Sequence, residues 1–272
     1  MILKDKVALI TGSTSGIGKA IAIKLSTLGA RIVITGLGDP QDIDELVVEC
    51  RQCNPLTCNA DDVCDGPAIR QPTAISVCAD LLVDNDVDSL YQIVMTVYGK
   101  CDILVHSAGV LQFNDFMTTG AGDGANYMDS YDQEMLFVRN SQRLTQLFLR
   151  SLIANKGCIC FITGNLDQPH PIILANNLNK SCIDMFSKCL AIELKPYNVR
   201  VNCISPGVIA TPMVTNVPMI RDIAFSADYI NQIPLRRIGT AYDVANAVVG
   251  FIVIDNKSNF LTGSRLSVNG GH

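Results

Sequence analysis

Short apolar runs rich in β-branched residues recur along this chain, and segments of helical period separate them. This alternation predicts a parallel sheet that helices cover on both faces. The runs occupy residues 6–10, 31–35, 74–78, 102–106, 158–163, 199–204 and 265–268. Because no internal repeat and no Pro-, Gly- or Ser-rich linker divides them, we expect one Rossmann-like, doubly wound α/β domain over residues 1–272.

Glycines mark the predicted ends of two of the intervening helices. An apolar face at helical spacing leads to Gly29, and a second leads to Gly99, as expected for glycine at a helix C-terminus. A third apolar face predicts a helix over residues 241–255.

Two segments depart from the alternation. Residues 50–72 include Pro55, Pro67 and Pro72, too many breakers for a helix or a central strand, and predict a surface insertion between the second and third strands. Residues 118–126 contain three glycines and no apolar period, and they predict a mobile loop after the fourth strand.

The first predicted strand runs into Thr-Gly-Ser-Thr-Ser-Gly-Ile-Gly at residues 11–18, and a helix follows. Gly12 permits a tight turn, Gly16 lets the backbone approach a pyrophosphate, and Gly18 lets helix and strand pack closely. The helix N-terminus adds free N–H groups and the positive end of its dipole. A turn of this kind also occurs for structural reasons alone, but with both flanks in place it predicts a bound dinucleotide.

Charge and hydropathy exclude other classes of protein. The 21 Lys and Arg against 26 Asp and Glu give a formal net charge of −5, with no basic run, which argues against a nucleic-acid partner. The longest apolar stretch, 244–254, is too short to cross a bilayer and predicts no membrane partner. With the first strand starting at residue 6 there is no room for a secretory signal, so we expect a cytoplasmic protein whose 11 cysteines are mostly reduced and buried.

Four of those cysteines lie close together in the predicted insertion. Cys50, Cys53, Cys58 and Cys64 provide enough thiolates for tetrahedral zinc, although the paired CxxC spacing of zinc ribbons is missing. Reduced thiols in a loop, or disulfides formed on oxidation, are the competing interpretations. The expectation for the chain is therefore no metal, with these four residues as the alternative.

Five motifs in order resemble the short-chain dehydrogenase/reductase family over almost the whole chain. Besides the glycine turn they are Ala-Asp-Leu at 79–81, His-Ser-Ala-Gly at 106–109, the segment 205–212, and the C-terminal pair 261–263 and 268–271. The turn followed by Thr-Gly-Leu-Gly-Asp at 35–39 is most similar to the 3-hydroxybutyrate dehydrogenase branch. The resemblance implies cofactor-binding roles for Gly12, Ser15, Gly16, Ile17, Gly18, Leu37, Asp80, Leu81, Ser107, Ala108, Gly109, Lys180, Pro206, Gly207, Ile209 and Thr211.

The charge of these positions favours NAD over NADP. A 2′-phosphate needs a nearby Arg or Lys, and the residues at the two relevant positions, Ser15 and Leu37, are neutral. NAD enzymes of the family often carry an acidic residue at the position of Gly36. The preference for NAD therefore depends only on the absence of a basic residue at Ser15 and Leu37.

The family's catalytic residues are a Tyr that gives the proton, a Lys four positions later, a Ser and an Asn. The resemblance places the Lys at Lys180 and the Tyr at Asn176, which share one helix face. The Ser position falls on Thr163 or Gly164, and the Asn position falls near Leu136 or Phe137. An amide cannot act as an acid near neutral pH, so the sequence predicts a degenerate site. His170 is the candidate substitute donor, although a lone His is more often structural.

The resemblance also implies a substrate lid at 212–235 and a homodimer or homotetramer. Helices 128–154 and 174–196 would pack against a second copy, and the last helix and strand would form another interface. The lid's Met213, Val214, Val217, Met219 and Phe225 indicate a partly apolar small-molecule substrate. The favoured function is an NAD-binding protein of oxidoreductase ancestry with a degenerate site. The alternatives are an active NAD-dependent oxidoreductase on a small alcohol or ketone, and a scaffold.

Overall fold

A computed structural model describes residues 2–56, 71–112, 116, 127–165, 173–253 and 260–272. The predicted runs form the seven strands of one parallel sheet, with bounds within two residues of those expected. The strands are β1 Val7–Thr11, β2 Arg31–Gly36, β3 Ala74–Cys78, β4 Ile103–His106, β5 Cys158–Ile162, β6 Arg200–Pro206 and, at the sheet edge, β9 Arg265–Val268. Two short strands, β7 Ile209–Ala210 and β8 Gly239–Thr240, pair in parallel outside this sheet.

The helices are α1 Gly16–Thr27, α2 Pro40–Cys53, α3 Asp84–Tyr98, α4 Tyr127–Asn155, α5 Leu174–Glu193, α6 Pro212–Thr215, α7 Pro218–Ala224, α8 Ala227–Gln232 and α9 Ala241–Ala247. Helices α1, α2 and α9 cover one face of the sheet, α3, α4 and α5 cover the other, and the short helices α6, α7 and α8 follow one another between β7 and β8. A short 3₁₀ turn, Lys195–Tyr197, follows α5, and a π-helical turn, Val248–Val253, continues α9. The predicted helix at 241–255 is therefore divided into two kinds of helix. Gly29 and Gly99 both have positive φ at the ends of α1 and α3, as expected.

Alternate residues of the strands build two hydrophobic cores. In β1, Ala8 and Ile10 face the layer of α1, α2 and α9, whereas Val7 and Leu9 face the layer of α3, α4 and α5. All five residues of β1 are buried, because successive side chains of a strand point to opposite covered faces. The predicted doubly wound fold is confirmed.

The expectation of a non-helical insertion over 50–72 is wrong at its start. Helix α2 continues to Cys53, so Cys50 and Cys53 lie in its last turn. The reason is that the prolines begin only at Pro55, after the helix has ended. The rest of this segment from residue 57 to residue 70, and the glycine-rich loop at 118–126, lie outside the described residues.

The strand order places the binding site. In the order β3-β2-β1-β4-β5-β6-β9, the chain winds outward in opposite directions from β1 and β4. Ligands of open α/β sheets bind at the carboxyl ends of the strands at such a switch point. That edge carries the glycine turn after β1. Within the described part of the chain, no helix is long and apolar enough to cross a membrane.

Candidate active site

A cleft of about 310 Å³ opens at the carboxyl ends of β1, β2 and β4. Most of the residues to which the resemblance gives cofactor-binding roles form its walls, together with several that it did not indicate. The walls consist of Thr11, Gly12, Thr14, Ser15, Gly16, Ile17, Gly18, Thr35, Gly36, Leu37, Ala79, Asp80, Leu81, Leu82, Ser107, Ala108, Gly109, Val110, Phe137, Thr211, Pro212 and Met213.

Two glycines of the turn are required by close packing. A Cβ on Gly12 would lie 2.5 Å from the Cα of Ala108, and one on Gly18 would lie 2.3 Å from the carbonyl oxygen of Gly12. Helix α1 begins beyond this turn with Ser15 as its N-cap, whose side chain makes no capping hydrogen bond, and its first turn has no acidic residue. The N-terminal N–H groups therefore fit a pyrophosphate.

Hydroxyl side chains brace the turn against its neighbours. Thr11 Oγ1 accepts hydrogen bonds from the backbone N–H groups of Ser107 and Ala108, at 3.1 and 3.2 Å. Thr14 Oγ1 donates to the carbonyl of Leu37 at 2.7 Å. Ser13 is fully buried and its Oγ donates to the carbonyl of Ile10 at 2.7 Å. Our sequence reasoning missed these residues, although hydroxyl residues directly after a buried strand are a signal for them.

The end of the cleft that would hold adenosine is neutral or acidic. Leu37 is exposed there, and Gly36 lies beside it. Asp80 Oδ1 accepts from the backbone N–H of Leu82 at 2.9 Å, which fixes the turn after β3. A 2′-phosphate finds no compensating charge on these residues.

Lys180 lies next to Gly109, one of the cleft's walls. A Cβ on Gly109 would lie 3.3 Å from Lys180 Nζ, which donates to the carbonyl of Ile162 at 3.4 Å. Burial lowers the pKa of the Lys180 ammonium, whereas the nearby Glu134 carboxylate opposes that shift. The position suits a cation that bonds the nicotinamide ribose.

Asn176 lies one helical turn before Lys180 and is held from both sides. Its Nδ2 donates to the carbonyl of Val110 at 3.1 Å and to Glu134 Oε1 at 3.0 Å. Asn179 Nδ2 donates to the other carboxylate oxygen of Glu134 at 2.5 Å. Glu134 is a buried carboxylate that the sequence reasoning did not identify, and burial raises its pKa.

The two candidates for the serine position differ in orientation. The hydroxyl of buried Thr163 donates to the carbonyl of Ile204 at 3.1 Å and so braces β6. A Cβ on Gly164 would lie 3.7 Å from Lys180 Cγ, so Gly164 borders the site. The backbone carbonyl of Gly164 accepts a hydrogen bond from the Ser205 hydroxyl. Thus neither candidate offers a hydroxyl to a ligand.

The remaining expected site residues are dispersed. Thr211 and Phe137 form part of the cleft wall. Pro206 ends β6, Gly207 packs against Asn269, and Ile209 is buried in the core, so these three residues lie outside the cleft wall. Leu136 is half-buried on α4. His170 lies outside the described residues.

His106, in the motif after β4, is a core residue. Its ring stacks on Phe161 with the centroids 4.7 Å apart, and its Nε2 lies 2.9 Å from Thr145 Oγ1. Because the Thr145 hydroxyl donates to the carbonyl of Ser141, Oγ1 must accept from the Nε2–H of His106. Burial lowers the pKa of His106 to about 3, so the ring is neutral.

The cysteines give no metal centre in the part of the chain that the structure describes. Cys50 is fully buried, which raises the pKa of its thiol to about 12. Cys58 and Cys64 lie outside the described residues. No group of three or more His, Cys, Asp or Glu side chains among the described residues could hold a metal ion.

Comparison with known proteins agrees with this geometry. The family model described as enoyl-(acyl carrier protein) reductase matches residues 12–272. The 3-oxoacyl-(acyl-carrier-protein) reductase FabG of Aquifex aeolicus is 28% identical over 270 residues, which cover 99% of this chain and 98% of the relative.

Two solved structures share the fold and were determined with different dinucleotides. L-Sorbose reductase from Gluconobacter frateurii, complexed with NADPH and L-sorbose, matches with a TM-score of 0.80 and 25% identity over 100% of this chain and 98% of that one. 3-Ketoacyl-(acyl-carrier-protein) reductase from Brucella melitensis, complexed with NADH, matches with a TM-score of 0.77 and 24% identity over 99% and 98% of the two chains. This chain belongs to the short-chain dehydrogenase/reductase family of oxidoreductases.

Proposed function

We propose that this chain binds NAD(H) in the cleft and has lost the proton donor at the reaction end. The observation that carries the proposal is the position of Asn176, which the resemblance aligns with the family's Tyr. Its Nδ2 is fixed by Val110 and Glu134, so an amide stands where a hydroxyl acid is needed. A missing general acid typically costs roughly 10²–10⁴ in rate.

The other positions of the tetrad support the same proposal. The Thr163 hydroxyl is bonded to the backbone of β6, and Gly164 has no side chain to orient a substrate. The family's Asn position falls near Leu136 or Phe137, and neither side chain offers a hydrogen bond for a water relay. Lys180 alone keeps the residue type that the family uses, and there it would hold the ribose.

Titration calorimetry with NADH and a turnover assay on the same preparation test the proposal. Binding without turnover supports it. Binding with robust turnover shows an active oxidoreductase that uses another proton donor. A folded preparation that binds no dinucleotide would contradict the proposal and favour the scaffold alternative.

We expect NAD or NADH to raise the melting temperature more than NADP or NADPH at equal concentration, because a ligand stabilises the native state according to its affinity. Leu37→Arg should reverse this order, since it adds a cation at the exposed edge of the adenosine end. Ile93→Arg, an equivalent change at another exposed apolar residue, should leave the order unchanged. A larger shift with NADP in the wild-type chain would contradict the assignment.

A stripe of exposed apolar residues on α5 supports the proposed oligomer. Leu178, Met185 and Ile192 follow at intervals of seven and are 40%, 59% and 75% exposed, whereas Leu190 is buried in the core. The exposed Cys182 and Cys189 lie between them on the same face. The five residues of this seam are thus separated alternately by four and three positions, which is the spacing of residues at a helix–helix interface. A second copy fits this seam, because a two-fold axis at Met185 would bring Leu178 of one copy against Ile192 of the other.

Met185→Glu is expected to break the α5 interface, which leaves monomers from a homodimer or dimers from a homotetramer, because it places a charge at the centre of the apolar seam. Met219→Glu is the matched control, since Met219 on α7 is similarly exposed but lies outside the seam. Sedimentation velocity at micromolar concentration distinguishes the species. A wild-type chain that sediments as a monomer would refute the proposed assembly.

A further inference from the structure

Glu134 is a carboxylate on the core-facing side of α4, and two side-chain amide donors partly offset the burial that raises its pKa. The residue is 1% exposed. Asn176 donates to Oε1 at 3.0 Å, and Asn179 donates to Oε2 at 2.5 Å and to the backbone carbonyl at 3.1 Å. These partners are all donors, so they stabilise the ionised carboxylate. A buried carboxylate without such partners would be strongly destabilising.

The hydrogen bond from Asn176 determines what that side chain can offer to a ligand. An amide nitrogen has two hydrogens, and those of Asn176 are directed to Val110 O and Glu134 Oε1. The remaining polar atom, Oδ1, is an acceptor. Asn176 can therefore receive a hydrogen bond from a hydroxyl group but has no N–H left for a carbonyl oxygen.

Glu134 also acts on the charge of Lys180. Burial lowers the pKa of Lys180, and the charged or titratable groups that oppose this shift are Glu134 on α4 and Cys203 on β6. The Cys203 thiol bonds to the Ser187 hydroxyl at 3.0 Å, and its own pKa is raised to about 11 by burial, so it is neutral near physiological pH. Glu134 is therefore the group that opposes the effect of burial on the pKa of Lys180.

We propose that Glu134 is a positioning residue of this site, whose carboxylate holds the Asn176 side chain so that its Oδ1 acceptor is the polar atom left for a ligand. The inference rests on the proposed function only for what Lys180 and Asn176 bind. Its tests use the protein without dinucleotide, so they can succeed or fail independently of cofactor binding.

The first test measures the pKa of Lys180 by competitive labelling with acetic anhydride across pH, followed by peptide mass spectrometry. In Glu134→Gln we expect this pKa to fall by roughly one unit, because the neighbouring opposite charge is gone. Glu134→Asp should restore most of the wild-type value. Asp102→Asn is the matched control, since it removes another buried carboxylate, which is paired with Lys6 and Lys100 before the start of β4 at the opposite end of the sheet, and should not change Lys180.

An unchanged Lys180 pKa in folded Glu134→Gln would show that Glu134 places no charge beside the site and would overturn the proposal. If that variant does not fold, the charge exchange between Glu134 and Asn176 still decides, because it keeps one carboxylate and one amide at this contact.

The second test is a charge exchange between Glu134 and Asn176, followed by thermal unfolding. Asn176→Asp alone should lower the melting temperature sharply, because two carboxylates would then face each other. Adding Glu134→Gln should recover a substantial part of that loss, since one carboxylate and one amide are again opposed. Additive losses in the double variant would show that the two side chains do not interact.

Discussion

Asn176→Tyr combined with Gly164→Ser is expected to give measurable NAD-linked turnover where the wild-type chain gives little or none. The Tyr would stand one helical turn before Lys180, whose ammonium favours the tyrosinate. The Ser would extend from the backbone that now borders Lys180 Cγ. Gly164 is the better of the two serine positions, because the Thr163 hydroxyl is already bonded to Ile204.

Recovery of activity should be partial and should require both changes. A restored acid contributes roughly 10²–10⁴ in rate, but the position of the family's Asn, near Leu136 or Phe137, still lacks that residue's hydrogen bonds. Removing the Asn176 amide also takes one donor from buried Glu134, which we expect to cost about 1–3 kcal/mol of stability. NADH absorbance with 3-hydroxybutyrate, simple secondary alcohols and small ketones measures the gain.

Asn177→Tyr with Gly164→Ser is the matched control for this gain. The same residues are then present, but the Tyr is rotated by about 100° around α5, so it leaves the face of Lys180. Equal activity in the two double variants would show that the position of the hydroxyl is irrelevant. A folded, NADH-binding Asn176→Tyr variant with Gly164→Ser that has no activity would show that more than these two groups is missing.

Acidification is expected to destabilise the protein through His106. The folded pKa is lowered to about 3, while the unfolded ring keeps its ordinary value near 6.5. Between these values the unfolded state binds more protons, so stability falls as pH falls, by about 1.4 kcal/mol per pH unit. The physical reason is that His106 Nδ1 is buried and has no hydrogen-bond partner among the described residues, so its protonation would place an unpaired cation in the core.

Urea unfolding between pH 6 and pH 4 measures this dependence. His106→Asn should lose stability overall but show a shallower slope, because the titrating ring is gone. His272→Asn, the same change at a half-buried terminal position, should keep the wild-type slope. Equal slopes in wild type and His106→Asn would show that His106 already titrates normally in the folded state.

The sheet was predictable because its central strands are buried on both faces and therefore appear as short apolar runs. The edge strands are only partly buried, but the runs at 74–78 and 265–268 still match β3 and β9 to the residue. Helix α2 was not anticipated up to Cys53, because composition averaged over 50–72 concealed that the prolines start only at Pro55. The predicted lid boundaries depend on the family resemblance, and α6 to α8 occupy much of the lid segment.

The glycine turn at the cofactor-binding cleft was predictable from the sequence, whereas the polar cluster of Glu134, Asn176 and Asn179 was not. Gly12 and Gly18 stand where a Cβ would be too close to neighbouring backbone atoms, so this local packing requires a recognisable glycine motif. Glu134 meets Asn176 and Asn179 only through the packing of α4 on α5, which sequence spacing does not encode. The sequence did contain one signal for Glu134, because it is a charged residue on the face of α4 that packs against the core.

The most direct test of the central claim is the steady-state rate of NADH formation or consumption by the wild-type chain when dinucleotide saturates the cleft. With 3-hydroxybutyrate, secondary alcohols or small ketones, we expect binding of NAD(H) and no turnover above the background of the dinucleotide alone. Robust turnover by the wild-type chain that is lost on Lys180→Ala or His170→Ala would contradict the degenerate-site account and would show that another group supplies the proton.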